Sequence, residues 1–265
     1  MHPGDIVPAA FNGGLVVLSF VTAFLGAYVA LAAGGRLRLG GEAGVHFGYV
    51  ATCALALGGV GVWGMHFIGL QARLLPFAVG HDTGLTVIGL CVAVGFAGFA
   101  LWYAGSEPLT ARRCLAGGVL AGTGIAAMHY IGMAAMRMPA LLQWSLPLVM
   151  ASVAIAMAAS TAALWLVFRA RGERQRLAGA LALAGAFCAM HYVGEAAATV
   201  IGTAAAPYVD RQLKGQALPY VVFAACGLVL FILSWQLHRG GRPGRDGLRG
   251  HGDFDLIDGG SGHAG

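Results

Sequence analysis

Charge is scarce in this 265-residue chain: charged residues make up 10% of it against 58% hydrophobic, and the mean hydropathy is +0.76. A soluble globular domain carries roughly 25% charged residues, so the scarcity excludes one and points to an integral membrane protein. Basic residues are missing altogether from Met1 to Pro8, a flank that includes Asp5. Without a basic n-region it cannot be read as a cleavable signal peptide, and the first apolar run is long enough to span. Cysteine is sparse too. Cys53, Cys91, Cys114, Cys188 and Cys226 show no paired spacing, which excludes a CxxC site and gives no disulfide framework. Ser-His-Asp order, a phosphate-binding loop and paired carboxylates are all lacking from the apolar stretches, so no enzyme is expected.

What the chain does have is seven apolar runs of about 20 residues or more. They are Ala10–Ala33, Val45–Ala72, Thr83–Ala104, Cys114–Met136, Trp144–Phe168, Leu177–Thr203 and Pro219–Leu237. The expected fold class is an all-α membrane protein: seven transmembrane helices, as three pseudo-repeated helical hairpins plus one extra helix. Residues 1–9 form an N-terminal flank, residues 10–72, 83–136 and 144–203 the hairpins, and 219–237 the seventh helix. Residues 238–265 are rich in Gly, Arg and Asp and read as a disordered tail. Its His238, His251 and His263 show no ligand spacing.

Basic residues set the expected orientation. The connections after spans 1, 3 and 5, with the tail, hold Arg36, Arg38, Arg112, Arg113, Arg169, Arg171, Arg174, Arg176, Arg239, Arg242, Arg245 and Arg249. The other side holds Arg73, Arg137, Arg211 and Lys214. Twelve against four places the N-terminus outside and the C-terminus in the cytoplasm. The formal charge of +5 is then a topology signal. No nucleic-acid partner is expected; the bilayer is the partner, with anionic headgroups at the basic edge.

Three near-copies of one hexapeptide stand inside spans 2, 4 and 6. They are Met65-His66-Phe67-Ile68-Gly69-Leu70, Met128-His129-Tyr130-Ile131-Gly132-Met133 and Met190-His191-Tyr192-Val193-Gly194-Glu195, with the histidines 63 and 62 residues apart. Histidine in hydrocarbon is costly, so three in register imply convergence on one site. Hairpins repeated in one orientation are related by an axis along the membrane normal. A pseudo-threefold bundle would bring the histidines together, roughly 10–12 Å below the outer boundary. Span 7 would pack outside. Gly58, Gly59, Gly61 and Gly64, and Gly117, Gly118, Gly122 and Gly124, precede the first two histidines, either for close helix packing or as ordinary membrane-helix composition.

Neutral imidazole is the commonest protein metal ligand and thioether sulfur selects Cu(I), so copper is the first reading. His66, His129 and His191 are the candidate ligands. Met65, Met128 and Met190 either curl inward to join them or fill the neighbouring interfaces. Leu70, Met133 and Glu195 lie one turn beyond each histidine on the same face. Glu195, a carboxylate within a span, would accept a proton from His191 or supply a hard ligand. Gly69, Gly132 and Gly194 either leave room for a diatomic or a water, or serve helix contact. Tyr130 and Tyr192, with Phe67 in the first copy, supply hydroxyls or anchor the outer leaflet, and Phe67 shows that no hydroxyl is needed three times over. Cys188 stands three residues before His191 and would join the site from below. His46 and His81 read as interfacial.

On these residues the chain resembles the MHYT family of bacterial integral membrane sensors. The motifs carry the likeness, together with Trp63-Gly64, Gly132-Met133-Ala134-Ala135, Leu18-Ser19 and Ala27-Tyr28-Val29-Ala30-Leu31. It covers about residues 10–237. The resemblance implies a bacterial inner-membrane sensor binding copper near the outer face and reading oxygen, carbon monoxide or nitric oxide. The implied ligands are Met65, His66, Met128, His129, Met190 and His191, with Tyr130 and Tyr192 nearby. Leu70 and Glu195 stand where that family often has Met, making the soft-ligand set less complete. Such domains are frequently fused to signalling enzymes, whereas only some 28 residues follow span 7 here; a separate cytoplasmic signalling partner is therefore expected. Two other functions remain open: a copper or small-solute transporter using the Met-His cluster as a relay, and a haem protein with two axial histidines.

Overall fold

The computed structural model describes residues 4–37, 46–203, 212–213 and 215–239. Seven helices among them are long and apolar enough to cross a membrane. They are α1 (Gly13–Gly34), α2 (Phe47–Ala72), α3 (Thr83–Gly105), α4 (Ala111–Ala134), α5 (Leu146–Arg169), α6 (Glu173–Ala196) and α7 (Leu218–Arg239). The expected tail and His251 and His263 lie outside the described residues, while His238 closes the last turn of α7 and bonds the Ser234 carbonyl.

Helix starts are fixed by side-chain caps that occupy free N–H groups. Asn12 accepts from Gly14 and Leu15 before α1, and Asp82 accepts from Leu85 at 2.9 Å before α3. Ser145 stands at the same position before α5 without a side-chain bond, and Pro147 in the first turn suits that start. Between α5 and α6 the chain reverses at Gly172, whose φ of 83° suits glycine.

Consecutive helices pack as α1–α2, α3–α4 and α5–α6 hairpins. Contacts of α2 with α3, α4 with α5, and α6 with α1 close them into a ring. Small residues make the ring tight, because helices in lipid associate through close backbone approach. A Cβ on Gly26 of α1 would meet the Ala56 carbonyl oxygen at 2.5 Å, and one on Gly58 the Ala93 carbonyl oxygen at 2.6 Å. On Gly122 of α4 it would meet Met157 Cα at 2.5 Å. The glycines before the motifs therefore do set helix packing.

The seventh helix lies against α1 and α2, with Cys226 at Gly64. That cover explains why 89% of the central window of α2 is buried but only 22% of that of α7. Leu55–Gly64 of α2 is π-helical, a widened stretch absent from α4 and α6. All five cysteines are free.

Two features differ from the sequence expectation. The sixth apolar run, Leu177–Thr203, is not one helix. Its helix begins at Glu173 and stops at Ala196, and Ala198–Gly202 is a strand, as the β-branched Thr199-Val200-Ile201 favours. The connections at the motif end also pair into two small sheets. In chain order the strands are β1 (Ile6–Val7), β2 (Gly80–Asp82), β3 (Met136–Arg137), β4 (Ala140–Trp144), β5 (Ala198–Gly202) and β6 (Gln212–Leu213). Antiparallel sheets run β1-β5-β4 and β3-β2-β6, with Trp144 opposite Ala198 and Gly80 opposite Arg137. Pairing satisfies backbone groups close to the apolar layer, where an open loop would leave them bare. At this strand-capped end Arg137 pairs Asp82 at 3.2 Å. The Leu85 backbone N–H, and then Arg137, hold the Asp82 carboxyl below the usual carboxylate range.

Candidate metal centre

Because α2, α4 and α6 each place the histidine after a buried methionine, ring closure aims all three imidazoles at the axis. His66, His129 and His191 are 2%, 0% and 0% exposed. Their ring centroids are 4.8 Å (His66–His129), 5.0 Å (His66–His191) and 5.3 Å (His129–His191) apart. Nδ1 of His66 lies 3.1 Å from Nδ1 of both partners. The opposite nitrogens point outward in a cycle. A Cβ on Gly132 would collide with His66 Nε2, on Gly194 with His129 Nε2, and on Gly69 with His191 Nε2. Each motif glycine is therefore the seat of the preceding repeat's imidazole, α4 receiving from α2, α6 from α4 and α2 from α6. Of the two readings of these glycines, helix contact holds; the neighbouring ring fills the space envisaged for a diatomic.

The cluster suits a cation. Three Nδ1 atoms that face one another cannot all be paired by hydrogen bonds, whichever tautomers the rings adopt. Their potential ligand atoms lie within 4.8 Å of one another. Nitrogens bound at about 2.0–2.1 Å in a tetrahedral or trigonal site stand roughly 3.3–3.6 Å apart, close to the 3.1 Å that separates Nδ1 of His66 from each of its partners. Nε2 of His66 and of His129 lacks a hydrogen-bond partner, and Nε2 of His191 has the Glu195 carboxylate at 3.4 Å.

The methionines are buried in the main apolar core. Met128 faces α3, where its Cγ is 3.7 Å from a Cβ placed on Gly89. Cys188 and Glu195 lie outside the group of convergent ligand atoms. Cys188 sits beside the Ser19 hydroxyl. Leu70 and Met133 cap the triad together with Ala198, but Glu195, their equivalent in the third repeat, does not join that apolar cap. Its Oε2 lies 3.4 Å from His191 Nε2, and its Oε1 3.8 Å from Arg73 Nη1. Glu195 thus addresses the far nitrogen of His191, away from Nδ1. Arg73 also reaches the Ala198 carbonyl at 3.3 Å and is itself 9% exposed. Sequence reasoning placed Arg73 in a connection; the signal that would have found it is Glu195, since an intramembrane carboxylate needs a countercharge.

The motif aromatics repeat with equal regularity. Tyr130 bonds Ser152 at 2.6 Å and Tyr192 bonds Ser19 at 3.0 Å. Each serine donates to the carbonyl three residues back, Val149 or Val16, so each tyrosine is the donor to its serine. Trp144 stacks edge-on against Tyr130 at 5.4 Å, and Phe11 against Tyr192 at 5.7 Å. Both stand two residues before the start of their helix, as His81 does before α3. His81 lies 5.0 Å from the Phe67 ring and is 2% exposed, buried among the strands at that end of the bundle. Its Nδ1 is 3.3 Å from Gln71 Nε2. His46 remains at the start of α2, edge-on to Tyr49.

Comparison with known proteins places this arrangement. The family "Bacterial signalling protein N terminal repeat" (MHYT) matches residues 59–117 and 122–180. The two matches have the same offset as His66 and His129. The chain carries an MHYT domain and shares it with bacterial signalling proteins. It is 43% identical over 198 residues to the bifunctional diguanylate cyclase/cyclic di-GMP phosphodiesterase MucR of Pseudomonas aeruginosa, covering 72% of this chain and 28% of that protein. It is 34% identical over 235 residues to the cyclic di-GMP phosphodiesterase NbdA of the same species, covering 82% and 29%. The signaling protein YkoW of Bacillus subtilis is 25% identical over 238 residues, covering 86% and 28%. The chain thus spans under a third of the length of these relatives. No solved structure matches.

Proposed function

We propose that this chain is the sensing unit of a bacterial inner-membrane signalling system, with a copper ion held by Nδ1 of His66, His129 and His191. The observation that carries this reading is the convergence of three buried Nδ1 atoms on the bundle axis. Copper, when bound, would supply a redox-active centre with affinity for diatomic gases. The chain's own residues do the rest. Gly69, Gly132 and Gly194 hold the rings at their outer edges, Leu70, Met133 and Ala198 exclude water above them, and Glu195 fixes the orientation of His191. Met65, Met128 and Met190, next in sequence to each ligand, pack in the apolar core and keep water from the rings.

The signal proposed is a diatomic gas (oxygen, carbon monoxide or nitric oxide) or a redox change. In the orientation set by the basic residues, the strand-capped end faces outward and the arginine-rich end faces the cytoplasm. Because the ring is closed, a shift of one motif helix must be taken up by both neighbours. That carries a change at the triad to the arginine-rich end, where Arg113 pairs Glu107 and Arg176 pairs Glu173. A cytoplasmic signalling partner would receive it. MucR and NbdA are named for cyclic di-GMP turnover, which makes that chemistry the proposed output; the seven-helix unit itself is proposed to be non-catalytic.

Transport is less well supported, because a cavity of about 20 Å³ nearer the arginine-rich end is lined by Leu57, Val62, Ala97, Ile125 and Phe187, with Ser160 as its hydroxyl. That lining offers an ion little coordination. Haem is disfavoured by size, since rings with centroids about 5 Å apart leave no slot for a porphyrin. The test is elemental analysis of purified protein with serine at His66, His129 and His191 singly. Copper bound near one per chain in the unaltered protein and lost in each variant is the expected result. Metal content unchanged by all three substitutions overturns the reading.

A further inference from the structure

The three interfaces that close the ring are built to one plan, and one departs from it. In two of them the motif tyrosine donates to a serine six residues past the start of the next helix: Tyr130 to Ser152 of α5, and Tyr192 to Ser19 of α1. Between α2 and α3 the corresponding residues are Phe67 and Gly89. Both hydroxyls are missing, and so is the serine Cβ. The aromatic cap changes in parallel, since His81 stands where the others have Phe11 and Trp144.

At this interface lies a cavity of about 10 Å³. Its lining includes Phe67, Gly89, Trp63 and Met128, and it is bounded by His66 of the triad and by His81 of β2. A Cβ on Gly89 would meet nothing nearer than Met128 Cγ at 3.7 Å, so the glycine is not demanded by packing. That separates it from Gly132, where the added atom would strike His66. Gly89 keeps space open beside a candidate ligand.

We infer that the α2–α3 interface is the binding place and access route of a small uncharged ligand, up to a diatomic, reaching the triad along His66. Size sets the upper limit: a cavity of about 10 Å³ takes one water-sized molecule, and a diatomic is the largest ligand it admits with a small side-chain adjustment. No charged residue lines it, so an ion would enter without a counter-charge. Its polar lining includes two imidazoles, His81 held by Gln71 and His66 seated on Gly132, and the Thr86 hydroxyl, which donates to the Asp82 carbonyl. The inference rests on the copper reading and adds where the ligand goes.

The test is carbon monoxide rebinding to protein loaded with Cu(I) and kept reduced, in nanodiscs after flash photolysis, with copper content measured alongside. Gly89→Ala, and Gly89→Val as the stronger block, should leave copper bound while slowing rebinding by roughly an order of magnitude, because the added carbons take up the cavity that Gly89 lines. Tyr130→Phe with Ser152→Gly copies the open interface between α4 and α5 and should speed rebinding. An adduct that rebinds at the unaltered rate in both Gly89 variants overturns this inference alone. Copper-loaded unaltered protein that forms no adduct at all overturns the gas reading, and this inference with it.

Discussion

Two of the three ring-closing interfaces are sealed by a tyrosine–serine hydrogen bond under an edge-on aromatic ring, and the third, bridged instead by Trp63 Nε1–H donating to the Thr86 carbonyl at 3.1 Å, holds a small cavity. All three share a backbone plan, an N-cap, an aromatic position and a motif glycine that seats the neighbour's imidazole. The sealed pair shows what the repeat needs for packing. The open one departs at Phe67, His81 and Gly89 together, so that neither hydroxyl of the tyrosine–serine pair is left without its partner. Symmetry builds the triad, and its local failure opens a path to it.

A second departure lies in the third repeat. Where Leu70 and Met133 add to the apolar cap, Glu195 and Arg73 form a buried ion pair against His191. Breaking this difference should give the largest effect. Glu195→Leu makes the third repeat copy the first and leaves Arg73 buried without its countercharge, a loss of about 3–5 kcal/mol. Unfolding in graded SDS would measure it, and adding Arg73→Met should recover most of the loss. Recovery that fails to appear would assign the effect to shape instead of charge.

The comparison of glycines comes next in size. Gly132→Ala forces the His66 ring from its seat and should cost about 1–3 kcal/mol as an overpacked core, with reduced copper binding. Gly89→Ala, one interface away, should leave stability and copper content nearly unchanged. Equal effects from the two would erase the distinction between a seat and a cavity. The smallest effect concerns the caps. Asp82 caps α3 where uncharged Asn12 and Ser145 precede the equivalent helices, and its carboxyl is held low by the Leu85 N–H and Arg137. A depressed pKa contributes stability above the unfolded value that is lost as pH falls through the folded one. Thermal unfolding across acid pH should show a small decline in that window, and Asp82→Asn, which copies the cap of α1, should remove it.

Much of this was legible beforehand. The apolar runs gave all seven helices, because a residue in lipid must be apolar whatever it packs against. The motif spacing gave the triad, because hairpins repeated in one orientation can meet only about a common axis. The end of α6 was missed because hydropathy cannot tell an apolar strand such as Ala198–Gly202 from a continuing helix. The strand pairings escaped for a related reason: Ile6, Leu141 and Ile201 come from three distant connections and meet only after the ring closes. Arg73 and His81 were taken as boundary residues because sequence distance from a span gives depth but not direction.

The amino-acid sequence by itself settled the solvent, the number of helices, the repeat and the three histidines, since composition and periodicity report each residue's transfer energy without reference to its neighbours. Only the tertiary structure decided that each glycine holds the next repeat's imidazole, that Nδ1 and not Nε2 faces the axis, and that one interface of three is open. Those are statements about which helix stands beside which, and about the direction of each ring. The free energy of such contacts is defined only between partners, so no single stretch of chain contains it.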